Sequence, residues 1–258
     1  MPPTSPQTPS NSHTEKQTVS AFPELSDDLS TFPEIPGGWR LEEYNIGEST
    51  ISLHRPIDPD LFLDDEDVAA ANVRNDYMPF WAYLWPAAVK MSKAILKAPW
   101  SPDDSVLELG SGLGLVGLAA MSRGDRITFS DYDPTALFMC RKNALENGFE
   151  DPPVMQLDWR EPKSEQFDAI FGCEVTYDAP IHSVLLDLLN LMLKPNGLCW
   201  LGDPGRYQSP KFYQLALDYG FEVRIFNEDF KAIEVPSSEG FQIFEIRKPD
   251  ITPATKQP

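Results

Sequence analysis

Residues 106–120 read Val106-Leu107-Glu108-Leu109-Gly110-Ser111-Gly112-Leu113-Gly114-Leu115-Val116-Gly117-Leu118-Ala119-Ala120, and this stretch decides the fold. A short apolar run breaks at alternating glycines and resumes as small, helix-compatible residues. That is the strand, turn and helix start of a nucleotide-binding α/β unit. Glycine lets the backbone turn tightly and leaves bare main chain for a ligand to approach. The N–H groups of the helix start then face that ligand.

Two ligand classes use this geometry. Gly112-x-Gly114-x-x-Gly117 satisfies the dinucleotide fingerprint, whereas Glu108-x-Gly110-x-Gly112-x-Gly114 adds an acid on the strand. A carboxylate there repels a pyrophosphate and suits an amino group, such as the one carried by the sulfonium cofactor S-adenosylmethionine. A turn with no ligand is disfavoured, because so many glycines weaken a helix start. The motif alone leaves the cofactor open.

Downstream, Arg126 to Asp131 reads as a second strand that ends on a carboxylate about twenty residues past the glycines, where it can accept both hydroxyls of a ribose. Pro134 to Asn147 is a helix and Val154 to Leu157 a third strand. Asp158 and Trp159 follow, a carboxylate and a ring suited to an adenine's amino group and face; Asp158 would serve equally as a turn cap. Phe167 to Val175 is the near-continuous apolar run of a central parallel strand. It leads into Glu174-Val175-Thr176-Tyr177. A carboxylate at the carboxyl end of a buried strand is costly, and that end is where open α/β sheets bind ligands. Pro180 to Leu193 is an amphipathic helix. Leu198 to Leu201 is a fifth strand running into the charged turn Gly202-Asp203-Pro204-Gly205-Arg206. Phe212 to Tyr219 is helical, and Phe221 to Phe226 and Phe241 to Ile246 are late strands.

Upstream, Trp39 to Ile46 and Thr50 to His54 read as a hairpin. Asp58, Asp60, Asp64, Asp65, Glu66 and Asp67 form an acidic loop, either solvated surface or a docking edge for a basic substrate. Phe80, Trp81, Tyr83 and Trp85 crowd four rings into six residues. They either fill core or wall an active site. Pro86 suits the first turn of a helix from Ala87 to Lys97.

The 258-residue chain suits one domain with a full core, and its net charge of −19 argues against nucleic acid as the main partner. Cys140, Cys173 and Cys199 read as free buried thiols of a reducing cytoplasm, and three scattered histidines make no metal site. No apolar run reaches membrane-spanning length. Residues 1–36 and 248–258 read as disordered tails around a domain at 37–247, divided into hairpin and acidic loop (37–75) and core (76–247).

The β-α repeats followed by a late strand pair resemble the class I, seven-strand S-adenosylmethionine-dependent methyltransferases: an α/β, Rossmann-like, mostly parallel sheet with helices on both faces. The segments FWAYLWP, GCEVTYD and GDPGR are similar to the lysine methyltransferase branch that includes the enzymes of the electron transfer flavoprotein β-subunit. The resemblance runs from about Asp76 to Tyr207. It implies that Glu108, Gly110, Ser111, Gly112 and Gly114 cradle the cofactor's methionine end and Asp131 its ribose. Asp158 and Trp159 would flank the adenine, with Trp85 packed near. Glu174 and Tyr177, on the branch's acid-x-x-aromatic signature, would face the acceptor amine as the catalytic pair. Trp81, Asp203 and Arg206 would contact substrate. The expected partner is a protein with an exposed lysine, the expected state a cytoplasmic monomer without nucleic acid or membrane contact. The alternatives are methylation of a small amine, a nicotinamide-dependent oxidoreductase, which Glu108 opposes, and an inactive cofactor-binding module.

Overall fold

Buried residues on both faces of successive strands dictate a sheet covered on both sides. The computed structural model describes residues 28–249. Its main sheet joins β3 (Ser105–Leu109), β4 (Arg126–Asp131), β5 (Val154–Gln156), β6 (Phe167–Cys173), β7 (Leu193–Asp203), β8 (Glu222–Asn227), β9 (Ala232–Ile233) and β10 (Gln242–Arg247) in the order β5-β4-β3-β6-β7-β10-β8-β9. The first five are parallel, and β10 runs antiparallel between β7 and β8. The two-residue β9 makes eight strands where seven were expected, added at the edge beyond β8. A separate hairpin pairs β1 (Trp39–Ile46) with β2 (Ser49–Pro56).

Alternation divides the core. Val106, Phe171 and Trp200 point into one cluster with α2 (Ala87–Ile95), α3 (Leu115–Ser122) and α4 (Pro134–Glu146). Leu107, Ile170 and Leu201 point into the other with α5 (Ile181–Met192) and α6 (Ser209–Asp218). Glu108, flanked by Leu107 and Leu109, therefore takes a position where the alternation calls for an apolar residue. The strand order reverses at β3, so the glycine turn lies at the switch point of the sheet, where a ligand crevice opens.

The upstream region departs from the sequence reading in two places. The acidic loop is structured: Asp58 accepts from Asp60 N at the head of a 3-10 turn (Pro59–Asp64), and Asp65 caps α1 (Glu66–Asn75) by accepting from Asp67 N and Val68 N. Acids at helix starts satisfy free N–H groups and favour the helix dipole. Of the tail expected at 1–36, residues 1–27 lie outside the described residues, but 28–36 pack on the domain. Leu29, Phe32 and Ile35 meet the core, and Trp39 Nε1 donates to Pro33 O at 2.7 Å. Lys142 Nζ donates to Leu29 O and lies over the Phe32 ring. At the other end Lys248 pairs with Asn196 and Gly197 through backbone bonds, while 250–258 lie outside the described residues.

The edge of β2 is closed by side chains. Asn143 of α4 and Asn147, which caps its C-terminus, accept from His54 N and Ser52 N and donate to His54 O and Ser52 O. Asn143 also donates to Leu113 O, which ties the hairpin to the glycine turn.

Candidate active site

A cavity of about 780 Å³ opens at the carboxyl ends of the parallel strands. Its floor is the glycine turn. Gly110, Gly112 and Gly114 all have positive φ, of 61°, 52° and 85°, a region that favours glycine. Ser111 fastens the turn to β4, its N–H and hydroxyl both donating to Ser130 O. Gly117 has ordinary backbone but no room: a Cβ there would lie 2.2 Å from the Phe129 ring and 2.4 Å from Glu108 Oε2. The glycine that completes the dinucleotide fingerprint in the sequence thus serves close packing of α3 on β4 and shelters the Glu108 carboxylate.

Glu108 is buried, and its Oε2 has no hydrogen-bond partner. Burial drives its carboxyl well above the usual range, opposed by bonding from Ser111 and the Gly117 N–H and helped by a smaller contribution from the charge of Asp131. Asp131 accepts from Gly112 N at 2.9 Å and Asp133 N at 3.0 Å; burial pushes it up to about 6 against these two bonds. An orphaned buried carboxylate oxygen beside open main chain is costly. An ammonium group on a bound ligand would remove that cost.

Over this floor runs the segment after α1. Tyr77 donates to Asp133 at 2.5 Å and receives the Trp81 indole N–H at 3.4 Å. Trp81 is mostly core, packed between Trp39 and Phe62, although part of it reaches the cavity. Its neighbours in the aromatic cluster form the mouth. The centroids of Phe80 and Tyr177 are 5.8 Å apart, and those of Phe80 and Trp85 6.1 Å. These rings are 44%, 41% and 37% exposed for Phe80, Tyr177 and Trp85. Tyr83 joins Trp85 and donates to Asp60, so the acidic segment braces the mouth.

At the carboxyl end of β5, Trp159 lies against Gly110, where a Cβ would stand 3.4 Å from its ring. Asp158 makes a two-pronged pair with Arg160 instead of standing free, and that pairing holds its carboxyl below the usual range.

The opposite wall holds Glu174. β6 stops at Cys173 rather than Val175, and Glu174 turns into the left-handed region at φ 57°, a costly conformation for a non-glycine residue. The turn sends its side chain back under α2, where Oε1 accepts from Ala87 N at 2.8 Å. Pro86 at the helix start has no side chain to cap it; Glu174 does so instead. Its Oε2 pairs with Arg206, whose own Nε is buried without a partner.

Asp203 does not reach the cavity. It is fully buried and accepts from Gly205 N, Arg206 N, Ser209 Oγ, Gln242 Nε2 and Thr176 Oγ1. Its work is to fold the turn that presents Arg206, so a substrate contact is the wrong role for it. Every other site residue expected from sequence lines the cavity, together with Tyr77, Asp133 and Cys173, which the sequence reading missed. Asp133 is legible before Pro134 only as a helix cap, which it also is.

Seven carboxylates and two arginines line the cavity, and both arginines are already paired. A glycine turn at a switch point, an orphaned acid below it and an acid on the second strand define a nucleotide-cofactor transferase fold with a cation-seeking floor. The chain belongs to the lysine methyltransferase family, which residues 79–216 match. It is 34% identical over 133 residues to the electron transfer flavoprotein β-subunit lysine methyltransferase of Mus musculus, covering 50% of this chain and 52% of that protein. It is 24% identical to the Mus musculus histone-arginine methyltransferase METTL23, covering 69% and 70%. The chain spans about half the length of the flavoprotein-directed relatives it matches. Among solved structures, the T. Thermophilus 16S rRNA N2 G1207 methyltransferase shares the fold at 17% identity and a TM-score of 0.55, over 84% of this chain and 52% of that one.

Proposed function

We propose that this protein transfers a methyl group from S-adenosylmethionine to a basic side chain on a protein, a lysine of the electron transfer flavoprotein β-subunit being the leading candidate. The observation that carries the cofactor is Glu108: its buried, unpartnered carboxylate oxygen needs a cation, and a nicotinamide dinucleotide would bring phosphates to it. When bound, S-adenosylmethionine would supply an electrophilic methyl on a sulfonium, with its neutral thioether as the leaving group for an amine nucleophile.

The chain's own residues supply alignment and dryness. Glu108 would take the amino group of the methionine end, and the free faces of Gly110 and Gly112 let that end lie on main chain. Asp131 would accept the ribose hydroxyls, and Trp159 would cover one face of the base. Phe80, Trp85 and Tyr177 offer apolar faces to an aliphatic stem and π faces to its cation.

The exposed rings at the mouth favour a protein acceptor over a metabolite, since a small substrate is better served by a closed chamber. The mouse relatives named above are named for protein substrates. The test is to incubate the protein and methyl-labelled cofactor with lysate of the source cells and separate the products on a gel. A labelled protein band supports the proposal, and label confined to small molecules overturns it. The same assay with purified electron transfer flavoprotein β-subunit decides that candidate. Cytoplasmic location and a monomeric state are part of the proposal.

A further inference from the structure

The acceptor wall presents a chemical difficulty. A lysine attacks only as the neutral amine, and an unperturbed lysine is protonated at neutral pH. A bare carboxylate at the acceptor position would attract the ammonium but also hold it in the charged, unreactive form. Glu174 is not bare. Its Oε2 is paired with Arg206, its Oε1 accepts from Ala87 N, and both residues line the cavity. The guanidinium is brought there by a turn folded around buried Asp203, which accepts from Gly205 N and Arg206 N.

We propose, resting on the methyl-transfer reading above, that Arg206 is a positioning residue that cancels the charge of Glu174 and so keeps the site from trapping its acceptor as an ammonium. Glu174 then still offers lone pairs to orient an N–H, while the pair as a whole favours neither charge state. The acceptor's proton leaves to water before attack, and the nitrogen lone pair is free for the methyl.

The titratable groups nearest the pair include Cys173, Tyr177 and Asp178 beside Glu174, buried Asp203 behind the Arg206 turn, and Glu108 and Asp131 across the glycine turn; the remaining acids, tyrosines and Arg160 of the cavity lie on its other walls. Ala87 and Ala88 of α2 bring none. Since those groups are unchanged in Arg206 variants, a shift of the pH profile reports the pair itself.

The experiment measures kcat/KM for methyl transfer to the electron transfer flavoprotein β-subunit from pH 6 to 10, with melting temperature and cofactor affinity determined on the same preparations. Arg206→Met should move the acid limb upward by about one pH unit, the lower end expected for one uncompensated neighbouring charge. The activity deficit should therefore be on the order of tenfold at the acid end and close at the alkaline end. Arg206→Lys should restore most of the wild-type limb. The double variant Glu174→Gln/Arg206→Met removes both charges and should keep the wild-type limb at whatever rate it retains, which also covers misfolding of the single variant. A pH-independent loss in Arg206→Met, or a limb displaced equally in the double variant, overturns the inference and leaves the methyl-transfer reading standing. Wild-type protein that labels no protein at all overturns both.

Discussion

Glu108 and Glu174 stand at the carboxyl ends of neighbouring strands, both buried and both on the wall of one cavity, yet their surroundings are opposite. Among the described residues Glu108 has one oxygen without a hydrogen-bond partner, and burial holds its carboxyl far above the usual range. Glu174 has a helix N–H on one oxygen and a guanidinium on the other. The half proposed for the cofactor thus offers an acid that a cationic ligand would complete. The half proposed for the acceptor already pairs its acid with a guanidinium. Local sequence around the two acids is similar, an apolar strand followed by a turn; the long-range partners make the difference.

The largest effect should come from breaking the completed half. Glu174→Gln keeps a carbonyl for Ala87 N but turns an amide donor toward Arg206. Turnover should fall by roughly 10²-fold, the scale of a lost orientation of the attacking group, while cofactor affinity changes little. Stability should fall by about 3 kcal/mol, at the low end for a broken buried pair because the Arg206 side chain is 26% exposed. Glu174→Asp should recover part of the activity. Turnover near wild type in the Gln variant would make Glu174 a helix cap and nothing more.

Breaking the incomplete half should cost less. Asp131→Ala removes a charged acceptor from the ribose, about 1–3 kcal/mol, so affinity for S-adenosylmethionine drops tenfold or more. In the wild type, Asp131 sits near 6 against an ordinary value of 3.8. A carboxyl raised in the fold stabilises it fully below its unfolded value, and this contribution is lost as pH rises through the folded value. Ligand-free protein should therefore lose the Asp131 contribution between about pH 4 and 6, and Asp131→Asn should flatten that portion of a melting-temperature profile. Cofactor affinity should run the other way, rising across the same interval as the acid ionises.

A smaller effect concerns the strap at residues 28–36. Leu29, Phe32 and Ile35 are only partly buried, so a chain starting at residue 37 should melt a few degrees below one starting at residue 28, at about 2–4 °C per kcal/mol for a domain of this size. Equal melting temperatures would mean the strap adds nothing. The smallest effect is expected from Asp64, Glu66 and Asp67, which cap no helix. Their neutralisation should change the salt dependence of kcat/KM only if they steer a basic partner.

The elements built on local pattern were legible before the structure. Arg126–Asp131 is a strand with the expected ends, because apolar alternation and a terminal acid specify it locally. The glycine turn and Asp131 follow from spacing, whereas the four rings at 80–85 were open between core and cavity wall, and the structure divides them: Trp81 packs mostly in the core while Phe80 and Trp85 form the mouth. What was hidden depends on contacts distant in sequence. Asp203 looks like a surface charge in a glycine-proline turn, and only the arrival of Gln242 and Thr176 shows it to be a buried hub. Arg206 meets Glu174 across 32 residues. Residues 28–36 carry three apolar side chains among polar ones, too few to announce packing, yet enough when Lys142 waits on α4. The caps at Asp58 and Asp65 did have a local signal, an acid ahead of a run of helix formers, which the density of charge around them obscured.

The most direct test of the incomplete half is a calorimetric titration of S-adenosylmethionine into the protein at pH 6, repeated in two buffers of different ionisation heat. Binding should be saturable and should release protons to the buffer, because the incoming ammonium favours the ionised forms of Glu108 and Asp131. Binding without proton release, or saturable binding of NAD in place of S-adenosylmethionine, would contradict the account.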